Sequence, residues 1–569
     1  MTLVGLAESG LTLALVGLAA YPLGAFLADV FENRPTFLTP LAGPVERGFY
    51  RLSGINPETE QEWLGYAISM LLFAGACFLA LYVMLIGQAY LPLNPQGFAG
   101  VPPDLAFNIA ISFITNANWQ AYAGETTLSH FTQMAGLTTQ NFLDTAVAIA
   151  MAVALVRALA RSDSSTVGNF WVDTTRATLY VLLPLSIVVA LVFVALGAPQ
   201  ALSAGAEAAT LEGAKQVIAL GPVASQEAIK LIGDNGGGFF NANSAHPFEN
   251  PSALSNLLQN WSQLVLPVAL VFAFGRMVGD VRQTRVLLAT IAVFFLAAFF
   301  ALYAAEMRGN PLMTALGVDA SQGNMEGKEL RFGQASQALF VDATTGTGTG
   351  ASNPSLESLT PLGGLVPLFN LLLGCISPGG VGAGLYSLLL YAVLAAFLAG
   401  LMVGRTPEYL GKKIAGIEIR LAIFAVLVSP LLLLGFAGAS TLLKIALDSL
   451  GAAGPHGLSE ILYAYASSVS DNGSAFAGLN ANTPWYNVTT GLAMFLGRFA
   501  HAIPILAITG SLARKTKTAP SPGTLPTHGP LFVVFLLGVI TIVTLLQYLP
   551  ALTLGPVAEQ FFSAIGTTF

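Results

Sequence analysis

Two Gly- and Asn-rich turns lie far apart in this chain and are written alike. One reads Ile232-Gly-Asp-Asn-Gly-Gly-Gly-Phe-Phe-Asn-Ala-Asn243, the other Ser470-Asp-Asn-Gly-Ser-Ala-Phe-Ala-Gly-Leu-Asn-Ala-Asn482. Each follows a short apolar stretch in a very apolar protein. Such turns expose backbone carbonyls, and rings of carbonyls strip and hold potassium ions. Neutral oxygens suit a monovalent ion that must also leave, whereas a cage of carboxylates would hold it too tightly and favour divalent ions.

Gap-free alignment adds two more turns to the pair. Asn118-Trp-Gln-Ala-Tyr-Ala-Gly124, Asn235-Gly-Gly-Gly-Phe-Phe-Asn241, Pro378-Gly-Gly-Val-Gly-Ala-Gly384 and Asn472-Gly-Ser-Ala-Phe-Ala-Gly478 stand in comparable places. Gly236, Gly237, Gly238, Gly379, Gly380 and Gly473 permit backbone conformations in which successive carbonyls face one way. A short helix aimed at such a ring adds the negative end of its dipole. Asp234 and Asp471 open two of the turns and read as loop stems that bond backbone amides. Any single turn is ordinary, since Gly and Asn are common turn residues; their joint placement carries the weight.

Composition says which elements must position them. The chain has 569 residues, 54% hydrophobic and 9% charged, with a mean hydropathy of +0.70. Soluble domains carry roughly 25% charged residues, so the fold class is an all-α polytopic membrane protein. A net charge of −7 leaves no basic face for nucleic acid. Cys77 and Cys375 lie in apolar surroundings and read as packing residues. The N-terminus lacks the basic start of a signal peptide, so its apolar run reads as a retained span.

A spanning helix needs about 20 mostly apolar residues. Ten candidates lie near 3–30, 63–88, 139–160, 175–197, 255–279, 284–305, 383–404, 418–445, 489–513 and 530–550. Four shorter stretches, near 104–114, 224–233, 364–375 and 458–469, each precede a turn and read as re-entrant half-helices, which survive at membrane depth only inside protein or beside a cavity. The connections after every odd-numbered span carry most of the Lys and Arg, among them Arg47, Arg161, Arg282, Lys412 and Lys515. By the positive-inside rule these are cytoplasmic, so both termini and all four turn mouths face outward.

The organisation is therefore a first span with its connection (1–62) and four span–pore-loop–span repeats around a pseudo-fourfold pore, closed by a cytoplasmic loop and last span (514–569). The repeats cover 63–160 with a turn near 115–124, 175–279 with 234–243, 284–404 with an outer polar segment 306–360 and a turn near 377–384, and 418–513 with 471–478. Internal repeats in transporters commonly place the ion site at the repeat interface.

These segments resemble a known family. Thr115-Asn-Ala-Asn-Trp-Gln-Ala-Tyr122, the long Asp234–Pro251 stretch, Ser377–Gly384 and Asp471–Gly478 are similar to the filter segments of the KdpA family, potassium-translocating subunits of bacterial Kdp pumps in the superfamily of potassium transporters. The likeness runs over essentially the whole chain. It implies a bacterial plasma-membrane protein that takes potassium, its substrate, through an outward filter and passes it to KdpB, a P-type ATPase, beside KdpC and the small KdpF. ATP and Mg2+ would be used by KdpB: this chain has no Asp-Lys-Thr-Gly phosphorylation motif and no Walker A sequence, and no cofactor or catalytic site of its own is expected. Residue by residue, the likeness implies a filter of Asn116, Ala117 and Asn118; Asn235, Gly236 and Gly237; Gly379, Gly380 and Val381; and Asn472, Gly473 and Ser474. Gln120 stands beside the first filter and Asn243 just past the second. Only the third, Gly379-Gly-Val-Gly382, resembles the strand of an ordinary potassium channel.

Several residues have two readings. Arg498, in the middle of the ninth span, is costly at that depth by at least about 2.5 kcal/mol. It reads either as a gate below the filter or as a structural arginine bound to helix carbonyls or a carboxylate. His130 and His246 follow two turns and make a poor metal site, so no transition metal is expected. Glu125 and Glu249 read as mouth charges that attract cations or as solvated loop charges, and Trp119 and Trp485 as interfacial anchors or filter packing. Lys444 reads as snorkelling to the lipid surface, and Thr344-Thr-Gly-Thr-Gly-Thr-Gly350 as a flexible outer loop. The same pore in a stand-alone channel or ion-coupled transporter is the alternative function; no paired intramembrane carboxylates or HExxH motif supports an intramembrane enzyme.

Overall fold

A computed structural model of the chain describes residues 1–519 and 525–566. Among them, ten helices are long and apolar enough to cross a membrane: Leu3–Phe31, Trp63–Tyr90, Thr132–Ala160, Phe170–Ala195, Ala253–Val278, Val281–Ala315, Ala383–Val403, Gly416–Ser440, Pro484–Ala513 and Pro530–Ala564. The protein is an all-α, multi-pass membrane protein. The strands among the described residues form two short antiparallel hairpins, Gly205–Ala209 with Lys215–Ala219 and Glu408–Tyr409 with Lys412–Lys413.

Helix starts follow local chemistry. Thr483 accepts the Tyr486 amide ahead of Pro484, and Ser252 and Ser255 form a reciprocal capping box. Burial then sorts the spans. The apolar window of Thr132–Ala160 is 89% buried and that of Leu3–Phe31 only 33%, so the first is walled by protein while the second leaves most of its surface for lipid.

Four short helices fill the middle of the bundle: Pro103–Ile114, Val223–Ile232, Gly333–Gly346 and Gly454–Val469. The first, second and fourth coincide with half-helices expected from sequence. The third does not. Gly333–Gly346 lies inside the stretch read as an outer polar segment, and from Gln334 onward every residue is buried. Hydropathy misses it because it is enclosed by protein rather than lipid: Gln337 caps its own first turn by accepting the Glu329 amide and donating to the Gly333 carbonyl, and Asp342 accepts the Asn370 amide at 2.9 Å.

The expected third half-helix near 364–375 has another place. Pro361–Leu372 starts beside Glu306, whose carboxylate accepts the Thr360 amide at 2.9 Å, and the chain continues through residues 373–382 into Ala383–Val403. Glu306 ends the Val281–Met307 helix at one end of the molecule, while Gly411 and Lys412, just past the end of Ala383–Val403, meet the 512–518 segment at the other. Pro361–Leu372 and Ala383–Val403 are therefore two halves of one broken span.

The basic connections gather at a single end, as their sequence spacing implies. Arg161 pairs with Glu60 at 2.7 Å, Arg176 with Glu46 at 2.8 Å, Arg276 with Asp29 at 2.9 Å, and Lys515 with Glu418 at 2.7 Å. The opposite end holds the turn mouths and both described chain ends: Thr2 donates to the Tyr303 hydroxyl at 2.9 Å, and Glu559 meets His456 at 2.9 Å.

Candidate functional site

Each short helix ends in a cap residue followed by a turn in the same register. The caps are Thr115, Gly233, Thr347 and Ser470; the next three residues are Asn116-Ala-Asn118, Asp234-Asn-Gly236, Gly348-Thr-Gly350 and Asp471-Asn-Gly473. Positive φ recurs at the first and third places: 70° and 48° at Asn116 and Asn118, 52° and 69° at Asp234 and Gly236, 56° and 89° at Asp471 and Gly473; in the remaining turn it falls at Gly350, 71°. Side chains rarely adopt this region, and Asn and Gly tolerate it best.

The four turns close a ring. A methyl group added at Gly236 would overlap the Thr349 carbonyl, one at Gly350 the Asn472 carbonyl, and one at Gly473 the Ala117 carbonyl. Each of the three third-place glycines thus rests on the second-place carbonyl of a neighbouring turn. The last junction is made by Gly237, where an added methyl would lie 3.0 Å from Asn118 Cβ and 3.1 Å from its carbonyl oxygen. At the first place, a methyl on Gly348 would sit 3.2 Å from the Asp471 carbonyl and 3.6 Å from that of Asp234, so the third turn is wedged between the second and fourth.

This geometry corrects the third quadrant. Gly379, Gly380 and Val381, expected there, lie in the break of the seventh span. Ser377 and Gly379 donate their amides to the Gly346 carbonyl at 3.1 and 3.0 Å, and a methyl on Gly380 would lie 3.3 Å from the Gly348 amide nitrogen. They back the third turn instead of completing the ring. The Thr344–Gly350 tract, read as a flexible outer loop, is buried throughout and supplies the turn. Its signal was the Gly–Thr alternation after a helix-length stretch, hidden by that stretch's polarity. The first turn also shifts by one residue, since Ala117, not Asn118, occupies the place of Asn235 and Asn472.

Side chains tie the turns together. Asn116 donates to the Asp234 carbonyl at 3.1 Å and accepts from the Asn235 amide, which also reaches Asp144 at 3.0 Å and Thr145 at 3.1 Å. Gln120 donates to the Gly238 carbonyl at 2.9 Å, and Asn472 to the Thr344 carbonyl at 2.7 Å. Ser474 bonds its own neighbour Asn472 and, at 2.9 Å, the Tyr463 hydroxyl. Asn243 accepts from Lys230 at 2.8 Å and from the Ser352 amide at 3.4 Å, bracing the second turn against the third.

The two stem aspartates hold side chains of other segments, and Asp234 also faces the Val381 backbone amide. Asp234 accepts the Thr349 hydroxyl at 2.8 Å, across to the third turn. Asp471 accepts Arg498 at 2.9 Å, and Arg498 also reaches the Tyr386 hydroxyl at 3.2 Å, so its charge is committed to a carboxylate at the foot of the fourth turn. On that side of the ring a cavity of about 80 Å3 is lined by Asn116, Gly348, Gly380, Asp471, Tyr386 and His501.

The flanking residues sort themselves. Trp119 is buried against the turns, whereas Trp485 donates to Ser440 at 3.0 Å. Glu249 is fully buried and pairs with Lys230 at 2.7 Å, with Glu227 on the other side at 2.6 Å, so it is a structural ion pair, not a mouth charge. Glu125 accepts the Asn241 amide at 3.0 Å. His130 meets Gln96 at 3.2 Å and His246 stacks on Phe240 with ring centroids 3.6 Å apart; the two histidines do not converge. Lys444 is exposed and paired with Asp448 at 2.8 Å.

Comparison with known proteins gives a family and a fold. The family model described as KdpA, potassium-transporting ATPase A subunit, matches residues 10–561. A relative from Allorhizobium ampelinum, named potassium-transporting ATPase potassium-binding subunit, is 60% identical over 565 residues and covers 99% of each chain. Another of that name from Rhodospirillum centenum is 55% identical over 569 residues, covering 100% of this chain and 99% of its own. Among solved structures, the potassium transporter TrkH from Vibrio parahaemolyticus superposes with a TM-score of 0.50 at 16% identity, covering 85% of this chain and 96% of its own.

Proposed function

The chain belongs to the KdpA family of potassium-transporting ATPase A subunits, and from that premise we propose that it binds and translocates potassium as the intake subunit of an ATP-driven uptake pump. The ring of four turns carries this reading. Each turn follows the C-terminal end of a buried short helix, so four negative dipole ends converge on the ring and favour a cation without placing a carboxylate on it. Second- and third-place carbonyls of Asn116–Asn118, Asp234–Gly237, Thr347–Gly350 and Asp471–Gly473 replace the hydration shell. Backing by Gly379, Gly380 and Val381, and the stems Asp234 and Asp471, keep the ring from collapsing on a smaller ion.

The ion then passes into the cavity beneath. Arg498, next to Gly497 of the cavity wall, acts through Asp471: by pairing with that carboxylate at the ring's foot it keeps it from trapping the ion and so directs the ion sideways. The sequence carries neither the Asp-Lys-Thr-Gly nor the Walker A motif, and hydrolysis is assigned to a P-type partner of the KdpB type, with KdpC and KdpF completing a plasma-membrane complex in which the turn mouths and both termini face outward. Lipid covers the exposed apolar spans.

Uptake in a bacterium lacking its own potassium transporters tests this. The chain expressed with its ATPase subunit should support growth at limiting potassium, and omission of that subunit should abolish it. Concentrative uptake by the chain alone would contradict the pump reading and favour an ion-coupled transporter.

A further inference from the structure

We propose that Glu357, His456 and Glu460 form a binding site for one divalent transition cation of the Zn2+ class, at the end of the molecule that carries the turn mouths. The sequence expectation of no transition metal weighed His130 and His246 and passed over His456. The three residues come from two segments: Glu357 lies between the third turn and Pro361, and His456 and Glu460 are one helical turn apart on Gly454–Val469, hence on one face. One ligand atom from each lies within 4.8 Å of the others.

Each donor is already aimed. Glu357 gives one carboxylate oxygen to the Gly478 amide at 3.0 Å and turns the other inward, 2.8 Å from His456 Nε2. Glu460 gives one oxygen to the Gly451 amide at 3.0 Å; the other is buried and has no hydrogen-bond partner. That oxygen and the inward one of Glu357 straddle Gly478, where an added methyl would lie 2.6 and 2.5 Å from them. Two carboxylate oxygens turned together, with Glu460 fully buried and Glu357 half-buried, call for a cation or a proton between them. The imidazole is oriented by a carboxylate on its far side, Glu559 at 2.9 Å from Nδ1, the arrangement that commonly sets a metal-bound histidine.

A mixed set of one imidazole and two carboxylates suits a borderline divalent ion with a fourth position left for water. Access is through a cavity of about 480 Å3 lined by Glu357, His456 and Glu559. On binding, His456 Nε2 releases its proton to solvent and its hydrogen bond to Glu357 gives way to two metal bonds. Phe476, just past the fourth turn, stacks on Tyr463 at 4.3 Å and on His456 at 5.9 Å, so an occupied site would stiffen that quadrant of the ring.

The test is Zn2+ binding to the purified full-length chain after chelator treatment, by equilibrium dialysis near neutral pH with metal analysis. Wild type should retain one equivalent that resists Mg2+ and Ca2+. Glu460→Gln, nearly isosteric, and Gly478→Ala should each weaken retention at least tenfold, Glu559→Gln about ten- to a hundredfold, with unchanged elution on size exclusion. Zn2+ should raise the melting temperature of wild type and not of Glu460→Gln. An unchanged equivalent in Glu460→Gln would overturn the site, as would a wild type that retains none, which would leave a shared proton between the two carboxylates. Displacement by Ca2+ would overturn the metal class.

Discussion

The third repeat contains two glycine-rich segments, and only one of them belongs to the ring. Thr347–Gly350 follows the C-terminal end of a buried helix and interlocks with the turns on both sides; Gly379–Val381 interrupts a span and props the first from behind. Glycine content alone favours the second segment. Position after a helix end, in register with three other turns, selects the first. What makes a turn part of such a ring is the dipole and cap in front of it and the neighbouring carbonyl it rests on, and neither is a property of the turn's own composition.

The largest effect should separate the two segments directly. Gly350→Ala places a methyl on the Asn472 carbonyl at a positive-φ position, and we expect at least a hundredfold loss of apparent potassium affinity in transport assays of the assembled complex. Gly380→Ala, with 3.3 Å to its nearest backbone atom, should cost less than tenfold. Equal losses would erase the distinction.

Next come the ties that hold the ring. Arg498→Gln leaves the half-buried Asp471 unpaired, which should destabilise the protein by about 2–4 kcal/mol. The double variant with Asp471→Asn should recover most of the loss in a detergent melting experiment; no recovery would mean that Arg498 acts otherwise. Thr349→Val removes the hydroxyl from Asp234 across the second and third turns and should cost about 1–3 kcal/mol. Ser377→Ala, which removes a 3.0 Å bond from the backing strap to the Ile291 carbonyl, should cost about 0.5–1.5 kcal/mol and leave potassium discrimination intact. A change in selectivity from Ser377→Ala would bring the strap into the site.

The smallest effect lies at the basic end, far from both segments. The guanidinium of Arg161 is the main cause holding Glu60 down at about 2, against the opposing effect of partial burial. A depressed carboxylate stabilises above its unfolded value and loses that contribution as pH falls from about 4.5 towards 2. Arg161→Gln should therefore lower the melting temperature slightly at neutral pH, with the difference from wild type shrinking through that acid range. A growing difference would contradict the pairing. Being partly exposed, the pair should contribute no more than about 1 kcal/mol.

Much of this was legible in the sequence because lipid imposes simple rules. All ten spans were visible as apolar runs, and the Lys and Arg of alternate connections meet at one end as their spacing implies. Three of the four turns were found from Asn and Gly after short apolar stretches. The fourth was missed because Gly333–Gly346 is buried in protein, where Gln334, Gln337 and Asp342 are satisfied by partners that hydropathy cannot register. Pro361–Leu372 misled for the converse reason: an apolar half-span looks like a re-entrant helix when only its length is read. Cross-chain ties such as Asp234 with Thr349 and Asp471 with Arg498 join residues 115 and 27 positions apart and had no local signature.

Anomalous diffraction from the assembled complex with Tl+ in place of potassium tests the ring most directly. The four-turn assignment predicts a peak enclosed by the backbone carbonyls of Ala117, Asn235, Thr349 and Asn472. A peak held by Gly379, Gly380 and Val381, with Thr347–Gly350 out of contact, would contradict it.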